Sequence, residues 1–360
     1  MIRKLTLVFL IFFGGYHNAL IFAQGDVSEL IKSGPDDASK LAQAYLTPLF
    51  KGFGIGLNSG WNTSGHSKNM GRFEVRIGLT GALIPDSDKT FDVTKLGLSN
   101  SIRPVNSSQT ISPTVAGSKN NGPQLAIYDS NNNEIERFTL PQGTGLPAIP
   151  VPQVQGSVGL PKGIELTLRA VPQINLGNNR GTINMIGGGV KVELLPLLVN
   201  KMAERIIPVD IAVALGYTQF NYTLGLDVRP PNGSVPKDGQ QSTDFSNQKV
   251  DASLRGLNAE AILSKNLLFF TPFVSIGYHS ANTDASLQGN YPIITGALFP
   301  VGTKTYTTFS NPVNINRKDI SGIRTNLGFQ LNLAVFRLYA SYTMSEYNAF
   351  NAGIGLGIGK

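Results

Sequence analysis

The chain has 360 residues, 30 Lys and Arg against 23 Asp and Glu, and no cysteine. A sequence without cysteine excludes disulfides, thiolate metal sites and a lipid-modified cysteine anchor. Charged residues make up 15% of the chain, against roughly 25% in ordinary soluble domains. The net charge of +7 is not gathered in a Lys/Arg cluster or a basic helix, so we expect no nucleic-acid partner.

Residues 1–23 have the pattern of an export signal. Arg3 and Lys4 precede an apolar run at residues 5–13, and Ala23 is a small residue at a cleavage position. The apolar run is shorter than the about 20 residues that a membrane helix needs. We therefore predict a signal peptide cleaved near Ala23, and an exported protein.

Residues 24–50 form the main helical part of the sequence. Leu41, Tyr45 and Leu49 fall on one face at helical spacing, and we take them as plug candidates. Two interpretations stay open for this segment. It is either a plug that enters the lumen of a barrel from the periplasm, or a periplasmic cap that packs beneath the barrel.

Strands of membrane-crossing length dominate the remainder. Between Ile323 and Leu333 the odd positions except Thr325 are apolar, and the even positions are polar or glycine. This two-residue period is that of a strand, and it lasts for about ten residues, the length a tilted strand needs to cross a bilayer. The predicted fold class is all-β, a transmembrane antiparallel β-barrel with a short N-terminal helical segment. Together with the export signal, it predicts a protein of the outer membrane of a Gram-negative bacterium.

Residues 51–360 are assigned to the barrel. Eleven segments show the strand pattern: 51–64, 72–84, 151–160, 163–173, 182–194, 209–222, 250–263, 266–280, 323–333, 336–344 and 350–358. Because single-chain bacterial barrels have even strand numbers, we expect about 12 strands, within a range of about 10 to 14. The missing crossing is expected from residues 85–150, a long irregular insertion. Residues 223–247 and 284–317 are predicted surface loops.

Three local features add to this assignment. Trp61, the only tryptophan, is expected near the outer membrane interface. In residues 250–263 the apolar positions change from even to odd at Arg255-Gly256, which indicates a bulge or bend. Asp86-Ser87-Asp88-Lys89-Thr90 matches the pattern of aspartyl-phosphate enzymes, but without βαβ units we interpret it as a polar turn.

The polar faces of the strands carry charges of both signs, which we expect to face the lumen. They are Glu74, Arg76, Glu165, Arg169, Lys191, Glu193, Asp210, Asp251, Arg255, Glu260, Arg324 and Arg337. Buried charges need partners, so these residues predict either ion-pair ladders that fill the barrel or a polar path for a solute. The balance of signs favours a closed or gated lumen over an open porin.

No catalytic, metal or cofactor site is predicted, and we expect the protein not to be an enzyme. After signal cleavage His66 and His279 are the only histidines, too few and too distant in sequence to indicate a zinc site. No G-x-S-x-G motif occurs, and glycine runs such as residues 52–56 do not precede a helix as a phosphate loop does.

Five stretches carry a family resemblance: DDASKLAQAYLTPLFKGFGIGLNSGW (36–61), PDSDKTFDVTKLGLSN (85–100), GLPKGIELTLRAVPQ (159–173), PVDIAVALGYTQF (208–220) and SEYNAFNAGIGLGIG (345–359). Together they resemble an uncharacterised family of Bacteroidota outer-membrane proteins. The resemblance implies an outer-membrane barrel that is distantly related to FadL-type transporters of hydrophobic compounds. It supplies no catalytic residues, and the sequence contains no motif specific to FadL.

Two functions follow as hypotheses. The first is a porin-like gated channel or transporter for small, including hydrophobic, molecules, whose cargo the sequence does not identify. The second is a non-transporting structural or assembly subunit that presents its helices or surface loops to other outer-membrane or periplasmic proteins. In both cases outer-membrane lipid surrounds the barrel.

Overall fold

The computed structural model describes residues 29–177, 180–198, 208–298 and 302–357. The predicted signal peptide at residues 1–23 and the amphipathic stretch at 199–207 lie outside these ranges. Within them one long helix, α1 (Pro35–Asn58), and one short helix, α2 (Leu195–Leu198), accompany a chain that is mostly strand.

Eighteen strands occur in the part of the chain that the structure describes: β1 (Phe73–Leu83), β2 (Thr90–Asp92), β3 (Ile102–Pro104), β4 (Ile111–Pro113), β5 (Gln124–Tyr128), β6 (Glu134–Thr139), β7 (Ala148–Leu160), β8 (Ile164–Asn175), β9 (Thr182–Glu193), β10 (Asp210–Gly225), β11 (Val235–Pro236), β12 (Lys249–Ser264), β13 (Phe270–Gln288), β14 (Asn290–Leu298), β15 (Thr303–Ser310), β16 (Val313–Leu333), β17 (Phe336–Met344) and β18 (Ala349–Gly357).

Ten of the described strands close into an antiparallel barrel. Their order is β1-β18-β17-β16-β13-β12-β10-β9-β8-β7, with the first and last strands also paired. The eight short strands lie in the connections: β2 pairs with β4, β5 with β3 and β6, and β15 with β11 and β14.

The predicted fold class is confirmed, and the alternation of side chains is its physical basis. In β8 the outward residues Leu166 and Leu168 are exposed, while Glu165 and Arg169, which flank them, are buried. The same alternation gives the barrel an apolar exterior, including Leu215 in β10, Ile276 in β13 and Leu327 in β16. Such an exterior is what a barrel wall in lipid requires.

The strand count corrects the expected 12 to ten among the described residues, at the lower end of the expected range. Residues 51–64 do not form a strand, since α1 continues to Asn58. Residues 85–150 do not supply a crossing either. They contain the short strands β2–β6 and lead into β7, and Asp86–Asp88 is a 3-10 turn, as expected of a polar turn.

The change of pattern in β12 is not a bulge, which corrects a second expectation. β12 pairs with β10 and β13 without a register shift, and its even residues stay buried from Ala252 to Ser264. What changes is the chemistry of the inward face, from Ala252 and Leu254 to Asn258 and Glu260. The register shift in this region lies in β13, between Ala281 and Asn282.

The two ends of the barrel differ in their connections. At one end β7–β8, β12–β13 and β16–β17 are joined by short turns, and β1 begins and β18 ends there. We call this the short-turn end. At the other end residues 84–147, 226–248 and 289–312 make long connections, and we call it the long-loop end.

The helix α1 lies inside the barrel and runs from the long-loop end towards the short-turn end. Near its start Asp37 accepts hydrogen bonds from Ser99 in the 84–147 connection, and the Tyr45 carbonyl accepts one from Val115 N–H. At its end Asn58 donates to the Ser280 carbonyl of β13. The described helix therefore does not enter from the short-turn end, contrary to the expectation for residues 24–50.

Glycine allows a helix to fit within a ten-stranded wall. An α-helix with its side chains is about 10–12 Å wide, and barrels of eight strands are already filled by their own side chains. A Cβ atom on Gly56 would lie 2.4 Å from Val151 atoms, one on Gly52 2.5 Å from Ile149, and one on Gly54 2.6 Å from Ala281. The helix backbone thus contacts the wall directly on the side of β7 and on the side of β13.

Across the described ranges, none of the helices is both long and apolar enough to cross a membrane.

We expect Gly56→Ala to destabilise the folded protein by about 1–3 kcal/mol, because its methyl group overpacks the contact with Val151. In an isolated helix alanine is more stable than glycine by about 1 kcal/mol. A decrease in the free energy of unfolding therefore identifies the contact with the wall as its cause. Gly188→Ala is the matched control, since a Cβ there meets no atom within 4 Å. Urea unfolding in lipid vesicles measures both changes, and equal midpoints for the two variants would contradict the packing described here.

Candidate functional site

The interior of the barrel is divided along its axis into a polar half and an apolar half. Towards the short-turn end the inward residues are charged or amide side chains, such as Glu165 in β8 and Asn326 in β16. Towards the long-loop end they are apolar, such as Ile183 in β9 and Leu254 in β12. The end of α1, at Leu57 to Ser59, lies where the two halves meet.

Two buried carboxylates in the polar half, Glu74 and Glu165, are each paired with at least two cations. Glu74 lies 3.3 Å from Arg76 and 3.3 Å from Arg337. Glu165 lies 2.9 Å from Lys68 and 3.1 Å from Lys191. The network joins the wall to Lys68, which belongs to the segment between α1 and β1, so the ion pairs fix that segment in the lumen.

Two wall arginines bind the carbonyl groups at the end of α1, and a third binds a carbonyl just beyond it. Arg169 donates to the Leu57 carbonyl at 2.8 Å and the Ser59 carbonyl at 3.0 Å. Arg324 donates to the Asn58 carbonyl, and Arg76 donates to the Trp61 carbonyl at 2.7 Å. A helix leaves its last four carbonyls without internal partners and carries partial negative charge there. The helix has no basic residue in its own last turn, so the wall supplies the cations.

Trp61 is buried in the lumen and not at the membrane interface, which corrects the sequence expectation. Its ring lies over the Arg169 guanidinium, with 4.0 Å between the guanidinium carbon and the ring centroid. Gly189 and Gly216 make room for it, since a Cβ on either would lie within 2.8 Å of the indole. The cation over the ring and the close packing against these glycines stabilise the indole in this position.

Ten of the twelve charges expected to face the lumen do so. They are Glu74, Arg76, Glu165, Arg169, Lys191, Glu193, Asp210, Glu260, Arg324 and Arg337. Asp251 and Arg255 are corrections: they lie on the outer face of β12, where Arg255 pairs with Asp284. The plug candidates Leu41, Tyr45 and Leu49 are all buried between α1 and its surroundings.

His66 lies beside two carboxylates, Glu193 and Asp210, which no local sequence pattern connects with it. Its Nδ1 atom lies 3.2 Å from Glu193 Oε1 and 3.6 Å from Asp210 Oδ1. Hydrogen bonds from the ring to Asp210 and Glu193 raise the pKa of His66 to about 10. Glu193 ends β9 and Asp210 begins β10, so the two carboxylates are neighbours in the sheet although 16 residues of chain separate them in sequence.

The apolar half of the lumen contains a cavity of about 150 Å³ between α1 and the wall. The helix contributes Leu46, Leu49 and Phe53, among others, and the wall contributes apolar residues of β7 to β10, β12, β13 and β16. Phe53 and Phe220 stack at 5.2 Å between ring centroids. Ser286 and two tyrosines are the only residues with side-chain polar groups among those that line this cavity, so it suits an apolar molecule.

The barrel wall separates beside this cavity. β7 and β8 pair from Gln155↔Arg169 to Leu160↔Ile164, but beyond that level each strand is paired only with its other neighbour, β1 or β9. Pro150, Pro152 and Pro172 lie in the separated stretch, and proline has no N–H to donate to a ladder. Pro152 also lines the cavity, so the separation borders it.

The cavity is the functional feature that the sequence analysis missed. Its signal was present in β12, where the inward face changes from Ala252 and Leu254 to Asn258 and Glu260. We interpreted that change as a bulge because apolar side chains in a membrane barrel are expected to face lipid.

We expect Arg169→Met to destabilise the protein by about 2–3 kcal/mol, because it leaves the buried Ser59 carbonyl without its donor and the Leu57 carbonyl with only a 3.3 Å hydrogen bond from Thr218. Methionine keeps much of the side-chain volume, so the loss reports the hydrogen bonds more than the packing. Arg255→Met removes an arginine from the outer face and is the control. Urea unfolding in lipid vesicles distinguishes the variants, and a control that loses as much stability would contradict the role given to Arg169.

Comparison with known proteins gives a family and a set of structures with similar folds. The outer membrane protease OmpT of Escherichia coli is 10% identical, with 80% of this chain and 97% of that chain covered and a TM-score of 0.33. The translocator domain of the autotransporter NalP of Neisseria meningitidis is 8% identical, with coverages of 86% and 92% and a TM-score of 0.30. The toluene transporter TodX of Pseudomonas putida is 10% identical, with coverages of 82% and 74% and a TM-score of 0.28.

At these TM-scores the three structures carry no argument about what this chain binds or transports. No curated protein matches the sequence. A family model matches residues 1–358. The chain belongs to the family of unknown function DUF6588.

Proposed function

We propose that this protein is an outer-membrane conduit for small apolar molecules, which bind in the cavity between α1 and the barrel wall. The observation that carries the proposal is the composition of that cavity. A lumen that passed ions or sugars would be lined by polar groups, whereas here Leu, Ile, Val and Phe side chains face inward at the long-loop end. Apolar residues turned away from lipid need another apolar partner.

The direction of transport follows from the two ends. Bacterial barrels have short turns in the periplasm and long loops outside, so the long-loop end is assigned to the cell surface. The cavity is then reached from outside, and the ion-pair network between Glu74, Glu165 and their cations lies on the periplasmic side. This network and the end of α1 block a straight path for water and ions through the barrel.

The size of the cavity limits the substrate. A dry apolar cavity of about 150 Å³ in another protein holds one benzene molecule, and the volume found here is about 150 Å³. The proposed cargo is therefore a compact apolar molecule of the size of a single aromatic ring. A larger molecule requires α1 to shift.

The separation between β7 and β8 gives such a molecule a route out of the cavity. Moving an apolar molecule from the cavity into the charged half of the lumen is unfavourable, whereas the bilayer beside the wall is apolar. Ala170 in β8 and Val154 in β7 flank the separated edges on the outer face. The proposed path therefore leads from the cell surface to the cavity and then sideways through the wall.

Filling the cavity tests the binding site. We expect Ala252→Phe to weaken the binding of fluorobenzene at least about tenfold, or about 1.4 kcal/mol, because the added ring occupies the cavity. Ala261→Phe adds the same ring to the same strand on the exposed outer face, and we expect no change. Fluorine NMR of the protein in lipid nanodiscs measures saturable binding above the partition into protein-free discs.

An absence of saturable binding to the wild-type protein would contradict the proposed function. It would favour the alternative of a structural or assembly subunit that carries no cargo.

Restoring backbone N–H donors in β7 tests the proposed route between β7 and β8. We expect the double variant Pro150→Val, Pro152→Val to slow the exchange of bound fluorobenzene, because valine N–H groups allow β7 to pair with β8 over the separated stretch. Pro272→Val in β13, at the short-turn end, is the control. Exchange broadening in the same NMR experiment gives the rate, and an unchanged rate in a variant that pairs fully would argue against passage between β7 and β8.

A further inference from the structure

We propose that His66, Glu193 and Asp210 form a zinc site that links the lumenal segment between α1 and β1 to the barrel wall. The three side chains come from three places in the chain: His66 from the segment at residues 59–72, Glu193 from the end of β9, and Asp210 from the start of β10. They offer one nitrogen and two carboxylate oxygens, all within 4.8 Å of one another. The inference does not depend on the apolar cavity or on its cargo.

The distances between the ligand atoms fit a tetrahedral ion. Zinc binds nitrogen and oxygen ligands at about 2.0–2.2 Å, so two ligands at adjacent corners of a tetrahedron lie about 3.3–3.5 Å apart. His66 Nδ1 lies 3.2 Å from Glu193 Oε1 and 3.6 Å from Asp210 Oδ1. A small adjustment of the side chains would place an ion between the three atoms.

Hydrogen bonds to the other carboxylate oxygens hold the ligands in position. The Ser67 N–H donates to Glu193 Oε2 at 2.8 Å, and the Ser264 hydroxyl donates to Asp210 Oδ2 at 3.3 Å. Each bond leaves the other oxygen, Oε1 or Oδ1, directed towards His66. Support of this kind around the ligands is typical of metal sites, because it fixes the orientation of each ligand.

The backbone around His66 is also fixed against the wall. Lys191 Nζ donates to the His66 carbonyl at 2.8 Å, and Gly65 N–H donates to Ser264 Oγ at 2.8 Å. A Cβ on Gly65 would lie 2.7 Å from the Asp210 carbonyl oxygen, so only glycine allows this approach. His66 is therefore presented to the two carboxylates by contacts that do not involve its own ring.

Exposure and charge suit an ion that arrives from solvent. The His66 side chain is 52% exposed, whereas that of Glu193 is 7% exposed. Two carboxylates and a neutral imidazole carry a charge that a divalent cation neutralises. Three protein ligands leave the fourth position for water, as in open zinc sites.

The expected consequence is a stronger attachment of the lumenal segment. An ion bound at once to His66 and to two strands of the wall connects the end of the plug to the barrel at its short-turn end. Binding to the folded state alone raises the free energy of unfolding in proportion to the logarithm of the zinc concentration.

Titration of tag-free, metal-free protein in nanodiscs with zinc chloride tests the site. We expect one zinc ion per chain with a dissociation constant in the micromolar range or below, and loss of that binding in both His66→Gln and Asp210→Asn. Asp251→Asn, on the outer face of β12, is the control for a carboxylate outside the site. Cobalt added in place of zinc should give the strong visible bands of a tetrahedral ion in the wild type alone.

Zinc binding that persists in His66→Gln would overturn the proposal, as would the absence of stoichiometric binding by the folded wild type. Resistance of the barrel to trypsin establishes that each variant is folded. If a variant does not fold, zinc-edge anomalous diffraction from wild-type crystals decides the question. A peak within bonding distance of all three side chains supports the site, and a peak elsewhere or none refutes it.

Discussion

The burial of a helix end inside a membrane barrel is the constraint on which this structure depends. The last carbonyls of α1 have no partner within the helix, and in the lumen bulk water does not reach them freely. Arg169 and Arg324 supply donors from the wall, and Arg76 donates to the Trp61 carbonyl just beyond the helix. Those cations in turn need anions and aromatic neighbours, which accounts for Glu74 beside Arg76 and for Trp61 over Arg169.

The division of the lumen follows from this position of the helix end. Towards the short-turn end, the wall must be polar to hold the arginines and their carboxylates. Towards the long-loop end, the apolar face of α1 packs against an apolar wall, and this packing leaves a cavity lined by residues of β7 to β10, β12, β13 and β16. The same chain therefore combines a polar interior that resembles a filled barrel with an apolar cavity.

The sequence predicted the parts of this fold that rest on local periodicity. The strict alternation in β16, β17 and β18 identified these strands and their outward faces. It failed at residues 51–64, where Gly52, Gly54 and Gly56 alternate with Phe53, Ile55 and Leu57 as they would in a strand. Those glycines serve contacts between a helix and distant strands, and contacts of that kind leave no local signal.

The candidate sites were predicted less completely for the same reason. Asp251 and Arg255 were placed in the lumen because apolar residues of a barrel were assumed to meet lipid, whereas Ala252 and Leu254 meet the cavity. His66, Glu193 and Asp210 meet only because the barrel closes around the lumenal segment. The pairing of distant strands, and not the composition of any one segment, decides both the inward face of β12 and the group around His66.

Hydrogen exchange of the folded wild-type protein in lipid tests most directly whether α1 is held in the lumen. Slow exchange requires that opening of the helix cost a large part of the global stability. We predict that the amides of residues 45–58 exchange as slowly as those of β10 and β12. Exchange of these amides on the time scale of exposed loops, while the strands stay protected, would contradict the account.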